Sequence, residues 1–175
     1  MEAKRLIEEM KQDHRRVRAE VAKLAALFRP GGSPRPGSDA KVASLVAMLR
    51  EEFRTHMAAE DDVLYPAVEA AVPAARATLA PLYGEHEELR LMLDRIAETL
   101  AEEPGPDRDE QLGVQIGDLG ELLRIHVRKE ESLVLSVTAR LLGPVELEAI
   151  VERLHPERPL MGAPSTTNPS KGESR

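Results

Sequence analysis

The sequence predicts an all-α protein, an up-down-up-down four-helix bundle with a short fifth helix at its C-terminal end. Three observations carry that expectation. Aromatic residues make up 2% of the chain, namely Phe28, Phe53, Tyr65 and Tyr83 with no Trp, whereas sheets lean on aromatic and β-branched side chains. The commonest residues are instead Ala, Leu, Glu and Arg, all strong helix formers. Finally, apolar positions recur at alternating steps of three and four, which lays one stripe along a helix for burial against its neighbours.

Breakers set the elements. The first helix runs from about Glu2 to Phe28 and stops at Arg29-Pro30-Gly31-Gly32-Ser33-Pro34-Arg35-Pro36-Gly37, a run in which proline removes donors and glycine loosens the backbone. Ser38 is placed to cap the second helix, with Asp39 in its first turn, and that helix continues toward Ala71. Pro73 suits the first position of a third helix, which reaches about Ala101 and ends before Pro104-Gly105-Pro106. The fourth runs from about Asp107 to Leu142 and is stopped by Gly143-Pro144. A short fifth covers Val145 to Leu154. Pro66 and Pro81 fall inside helices and predict kinks. Gly113, Gly117 and Gly120 share helical spacing and predict the close approach of a neighbouring helix. With 175 residues, of which 42% are hydrophobic, the chain is long enough for one domain with a real core. Residues 1–155 are assigned to the bundle. Residues 156–175, rich in Pro, Ser, Gly, Thr and Asn, are expected to be a disordered tail.

Composition removes several functions. A net charge of −7 argues against nucleic acid, whose phosphates call for a basic surface. No apolar run is long enough to span a membrane. The charged start, Met1 to Met10, lacks the apolar region of a signal peptide, so the expected location is cytoplasmic. There are no cysteines, which excludes disulfides, thiolate metal sites and cysteine nucleophiles. The remaining chemistry rests on carboxylates and on His14, His56, His86, His126 and His155.

Four of those histidines interrupt the seams. The first reads Ile7, Met10, His14, Val17, Val21, Leu24, Phe28. The second reads Val42, Leu45, Leu49, Phe53, His56, Glu60, Val63, Ala67. The third reads Leu79, Leu82, His86, Leu89, Leu93, Ile96, Leu100, and the fourth Leu112, Ile116, Leu119, Leu123, His126, Glu130, Leu133, Val137. A buried ionised carboxylate is costly unless it is paired or bound to metal, so four His and two Glu in register point to metal ligation. The order also repeats: Asp13-His14 and Glu85-His86 each open a helix pair, and His56–Glu60 and His126–Glu130 are both H-x-x-x-E. Two similar halves facing each other suit two ions. Residues i and i+4 share a helix face, and a sulfur-free N/O set suits Fe, Mn or Zn. A carboxylate can bridge two cations, which makes Glu60 and Glu130 the natural bridges and the histidines terminal ligands. The E-x-x-H pairs of ferritin-like di-iron bundles do not occur at these four histidines. His155 lies outside the seam and reads as a surface residue. Tyr65 and Tyr83 read as packing, with a redox role or support of the ligands as the alternative, and Asp13 and Glu85, about 100° round from the adjacent histidine, read as solvated charge.

One His followed by H-x-x-x-E, twice over four helices, resembles the hemerythrin-like (HHE cation-binding) domain family. The stretch His56-Met57-Ala58-Ala59-Glu60-Asp61-Asp62-Val63-Leu64-Tyr65-Pro66 is very similar to that family's second-helix motif. The resemblance spans about residues 5 to 142. It implies a non-haem di-iron centre, oxo/carboxylate-bridged, with Zn or Mn as substitutes. His14 and His56 would bind one iron, His86 and His126 the other, and Glu60 and Glu130 would bridge. It also implies a small diatomic or peroxide ligand (O2, NO or peroxide), in a monomer or homodimer. It leaves room for a redox enzyme or iron donor, for NO or peroxide reduction or iron–sulfur cluster repair, and for an iron or oxygen sensor or storage module. Compared with the O2-carrying hemerythrins, Arg90 stands where the third helix of those proteins has a second histidine, and the last motif is H-x-x-x-E rather than H-x-x-x-x-D. The fourth helix has Val134-Leu135-Ser136 in place of a Tyr/Phe-Pro ending. A missing histidine leaves one iron more open, which favours redox chemistry or sensing over reversible O2 carriage.

Overall fold

The computed structural model describes residues 2–29 and 32–154, with side chains from Arg5 onward; His155 and the 156–175 segment lie outside the described residues. The regular elements of the described residues are helices: α1 Glu2–Ala25, α2 Asp39–Ala59, α3 Tyr65–Ala71, α4 Arg76–Leu100, α5 Pro106–Leu141 and α6 Pro144–Leu154. One π-helical turn, Glu60–Leu64, joins α2 to α3, and a short 3₁₀ turn, Pro73–Ala75, leads into α4. Among the described residues no strand forms, and Phe28 and Pro34 make only an isolated antiparallel bridge. No described helix is long and apolar enough to cross a membrane.

The first helix ends three residues earlier than its apolar stripe suggests, because Leu27 and Phe28 turn back with 3₁₀-type bonds to Leu24 and Ala25. Ser38 stands at the start of α2 but does not cap it: its hydroxyl donates to the Arg35 carbonyl at 2.6 Å. Pro81 lies inside α4, which continues through it. Pro66 sits just past the π turn, and there is a physical reason it is tolerated. A proline has no N–H to offer the carbonyl four residues back, and the Asp62 carbonyl instead accepts the Arg153 guanidinium of α6 at 2.8 Å.

Helix α1 packs on α2 and α5, and α4 packs on α2 and α5 as well, closing a ring of four. Cross-helix contacts pair His14 with Glu60 and Arg16 with Glu52. They also pair Glu85 with Lys129 and Thr99 with Gln115, so numbering runs in opposite senses along each pair. At one end Arg108 is buried and donates to Asp39 at 2.9 Å and to Asp109 at 2.8 Å, tying the starts of α2 and α5 together.

The core divides into two apolar clusters. One includes Val17, Phe53, Met57, Leu89 and Val127. The other includes Met10, Val63, Leu82 and Val134, closed off by Leu147 and Ile150 of α6. Between them lies a polar layer of buried His14, Glu60, His86, His126 and Glu130. The predicted stripes hold on α4. On α5 the stripe shifts after Glu130: Val134 and Thr138 are buried, whereas Leu133 is 43% exposed. On the second stretch the π turn moves burial from Ala67 to Leu64, Tyr65 and Val68.

Of the three α5 glycines only Gly113 is required by packing, and what approaches it is a loop rather than a helix. A Cβ there would collide with the backbone of Gly32, and Gly32 itself holds φ at +92°. Gly120 would make only an ordinary contact with Val21, and at Gly117 a Cβ meets nothing within 4 Å. Gly117→Ala is therefore expected to stabilise the fold by about 0.5–1 kcal/mol, and Gly113→Ala to destabilise it by about 1–3 kcal/mol. Urea titrations of the two variants check both signs.

Candidate metal centre

The six sequence-predicted residues reach the polar layer from five elements: His14 from α1, His56 from α2, Glu60 from the π turn, His86 from α4, and His126 and Glu130 from α5. His56 Nε2 lies 3.0 Å from Glu60 Oε1, and His14 Nε2 lies 3.6 Å from the same oxygen and 3.0 Å from Glu130 Oε2. On the other side His86 Nε2 lies 3.3 Å from Glu60 Oε2 and 3.1 Å from His126 Nε2. His126 Nε2 is 3.7 Å from Glu130 Oε2.

Two groups of donor atoms result, each within a 4.8 Å spread: His14, His56, Glu60 and Glu130, and Glu60, His86 and His126. Glu60 belongs to both, with one oxygen turned to each. The donor atoms also lack what buried polar atoms normally have. His14 Nε2, His56 Nε2, both Glu60 oxygens and Glu130 Oε2 have no hydrogen-bond partner. Such groups cost free energy unless something satisfies them, and an N/O set of this kind fits a divalent first-row cation.

The outer ring nitrogens are held by carboxylates. His86 Nδ1 donates to Asp61 at 2.6 Å, His126 Nδ1 to Glu85 at 3.1 Å and His14 Nδ1 to Glu131 at 3.2 Å, while His56 Nδ1 lies 4.0 Å from Asp13. Placing the proton on Nδ1 leaves Nε2 to the centre as a lone pair, the arrangement that orients imidazole ligands. The reading of Glu85 as solvated charge is thus corrected: it binds both His126 and Lys129. A rotation of about 100° from the adjacent His86 aims it at the neighbouring helix rather than at water. Asp13 remains 40% exposed beside His56.

Tyr65 is the residue that periodicity missed. Its hydroxyl donates to Glu130 Oε1 at 2.9 Å and lies 3.4 Å from His86 Nε2, its ring stacks on His86 at 5.5 Å, and it has no solvent exposure. In an unbroken α-helix it would sit about 140° round from Glu60. The π turn, closed by the Tyr65 N–H on the Glu60 carbonyl five residues back, brings both to one face. Pro66 was the available signal, since a proline inside a helix marks altered hydrogen bonding. Tyr83 packs edge-on against Tyr65 at 5.1 Å.

Protonation in the metal-free site follows burial and charge. Burial pulls His14 down, but the adjacent Glu130 and Glu60 carboxylates outweigh it and raise the group to about 10. His86 is likewise opposed by burial yet raised to about 9 by Asp61 and Glu60. His126 is lowered to about 4 by burial and by the charge on His86. Burial also opposes ionisation of Glu60, but His56, His14 and His86 hold it well below the usual carboxylate range. Glu130 is raised to about 7 by burial and the Glu60 charge. Burial, then Glu130 and Glu60, push the Tyr65 phenol far up, so it keeps its proton.

A family model described as the hemerythrin HHE cation binding domain matches residues 5–137. No curated protein matches the chain significantly.

Raised folded-state values on His14 and His86 stabilise the metal-free fold fully below about 6.5, the unfolded value. That contribution is lost as pH rises through about 9 and about 10. Thermal melts of the metal-free protein should fall across that window, and His14→Gln should flatten the slope.

Proposed function

Because the chain belongs to the hemerythrin HHE cation-binding family, we propose that it is a non-haem di-iron protein that binds O2, NO or peroxide at its buried His/Glu centre. Glu60 carries the reading: its two unpartnered oxygens face opposite halves of one site, as a bridging carboxylate requires. His14, His56, Glu60 and Glu130 would hold one ion, and Glu60, His86 and His126 the other. Iron there supplies one-electron redox chemistry and coordination positions for a small ligand, and the same donors accept Mn or Zn.

The chain's own residues do the rest. Asp61, Glu85 and Glu131 fix the imidazole orientations from outside. The two apolar clusters keep bulk water from both sides of the layer. Arg90, four residues after His86, turns away from the centre and donates to Asp61 at 2.7 Å. The His86 half therefore has three protein donors against four in the other, which leaves more room for a ligand on that side.

Tyr65 favours a second reading, reductive chemistry on peroxide or NO. Its hydroxyl keeps its proton beside the less crowded His86–His126 half, where it can donate a hydrogen bond to a reduced ligand. Iron donation and sensing have no comparable observation in their favour.

Metal analysis with optical spectra taken with and without O2 tests the primary reading: two irons per chain are expected, and Glu60→Ala should lose both. Absence of metal, with thermal stability unchanged on adding Fe(II), would overturn it. Tyr65→Phe should keep the iron yet slow peroxide or NO turnover by about 10²-fold; an unchanged rate would remove the phenol from the chemistry.

A further inference from the structure

Two grooves of nearly equal size flank the bundle. The one between α2 and α4 has a volume of about 460 Å³, and the one between α1 and α5 about 470 Å³. They occupy equivalent places in the two-fold repeat that relates His14 to His86 and His56 to His126, so each is a control for the other. In the α2/α4 groove every arginine has a carboxylate. Arg50 binds Asp94 at 2.5 Å, Arg54 binds Glu51 at 2.6 Å and Arg90 binds Asp61 at 2.7 Å.

The α1/α5 groove is lined by Lys11, Arg18, Arg124, Arg128, Glu131 and Ser132. Arg124 repeats Arg54 and is held by Glu121 at 2.5 Å, as Arg54 is held by Glu51. The others break the repeat. Arg18 corresponds to Arg90 but makes no ion pair. Lys11 and Arg128 stand where the other half has Tyr83 and Ala58, and they make no ion pair either. Lys11, Arg18 and Arg128 thus have no carboxylate within ion-pair distance among the described residues. The one acid lining the groove, Glu131, holds His14 Nδ1.

The scaffold does not require Lys11 and Arg128, because its other half has Tyr83 and Ala58 in their places, and it does not require an unpaired Arg18, because Arg90 there is paired with Asp61. Three positive side chains without an ion-pair contact, of which Arg128 acts on Glu121 only through space, converge on a groove in a chain of net charge −7 and mark a place where negative charge is welcome. Guanidinium forks match phosphate and carboxylate oxygens in pairs, and the lysine adds a point charge. The acidic remainder of the surface repels a long polyanion, so the fitting occupant is small.

We propose that the α1/α5 groove is a binding site for a small multivalent oxyanion of the phosphate or polycarboxylate class, recognised by Lys11, Arg18 and Arg128. The site stands apart from the metal reading and is testable without it.

Calorimetric titration of the metal-free full chain at low ionic strength, with pyrophosphate and with citrate in separate runs, is the test. The metal-free form is used because both probes chelate metal. Saturable binding of about one anion per chain is expected. Arg18→Gln and Arg128→Gln should each weaken it about tenfold, whereas Arg50→Gln, in the other groove, should leave it unchanged. Melting curves establish that the variants fold. Binding of pyrophosphate alone assigns the phosphate class, of citrate alone the polycarboxylate class, and of both a general oxyanion site. No saturable heat with either probe, or binding that Arg18→Gln and Arg128→Gln leave intact, would overturn the proposal. So would tighter binding of a single-stranded oligonucleotide than of either small anion.

Discussion

Two carboxylates without solvent access, Glu60 and Glu130, stand in the middle of an aliphatic bundle, and the surrounding architecture follows from keeping them there. An isolated buried charge is prohibitively costly, so both are surrounded by imidazoles and a phenol. The imidazoles are in turn anchored by Asp61, Glu85 and Glu131. That second ring of acids sits at the bundle edge, where its remaining oxygens reach Arg90, Lys129 or water. Polarity therefore decreases in cost from the centre outward. The two apolar clusters above and below the layer supply the cohesion that the polar layer itself does not.

The repeat explains much of this economy and its exceptions explain the chemistry. The acid before each lone histidine, Asp13 or Glu85, lies toward the histidine of the following H-x-x-x-E. The acid after each buried glutamate, Asp61 or Glu131, holds the lone histidine of the other half. One pattern, used twice, orients four rings. Symmetry then fails in two places. The π turn with Tyr65 and Pro66 exists only in the first half, and it gives one side of the centre a phenolic proton. Of the two grooves, the α1/α5 groove alone has cations without an ion pair among the described residues. In both, the halves share a scaffold and differ in what can bind beside it.

Membership of the HHE cation-binding family and the donor geometry bear on different questions. Family membership explains why this bundle carries histidine and glutamate in its seam. The distances bear on how the six residues divide: Glu60 is shared between the groups, whereas Glu130 has one oxygen occupied by Tyr65. The donor atoms fall into groups of four and three residues, with Glu60 counted in both.

Helix content, breaks, the apolar stripes of α1 and α4, and all six centre residues were legible in the sequence, because each depends on spacing along a single helix. Buried polar groups in a seam are anomalous by local rules alone, and they identify themselves. The tertiary structure decided what depends on relations between helices. Glu85 could not be assigned to His126 from its own helix, since its partner lies 41 residues away. Tyr65, read as packing, reaches Glu130 because one π turn changes the number of residues per turn across its segment. The burial of Val134 and Thr138 instead of Leu133 and Val137 likewise depends on what packs against α5. Periodicity gives the face a residue occupies, and only the packed neighbours determine what that face meets.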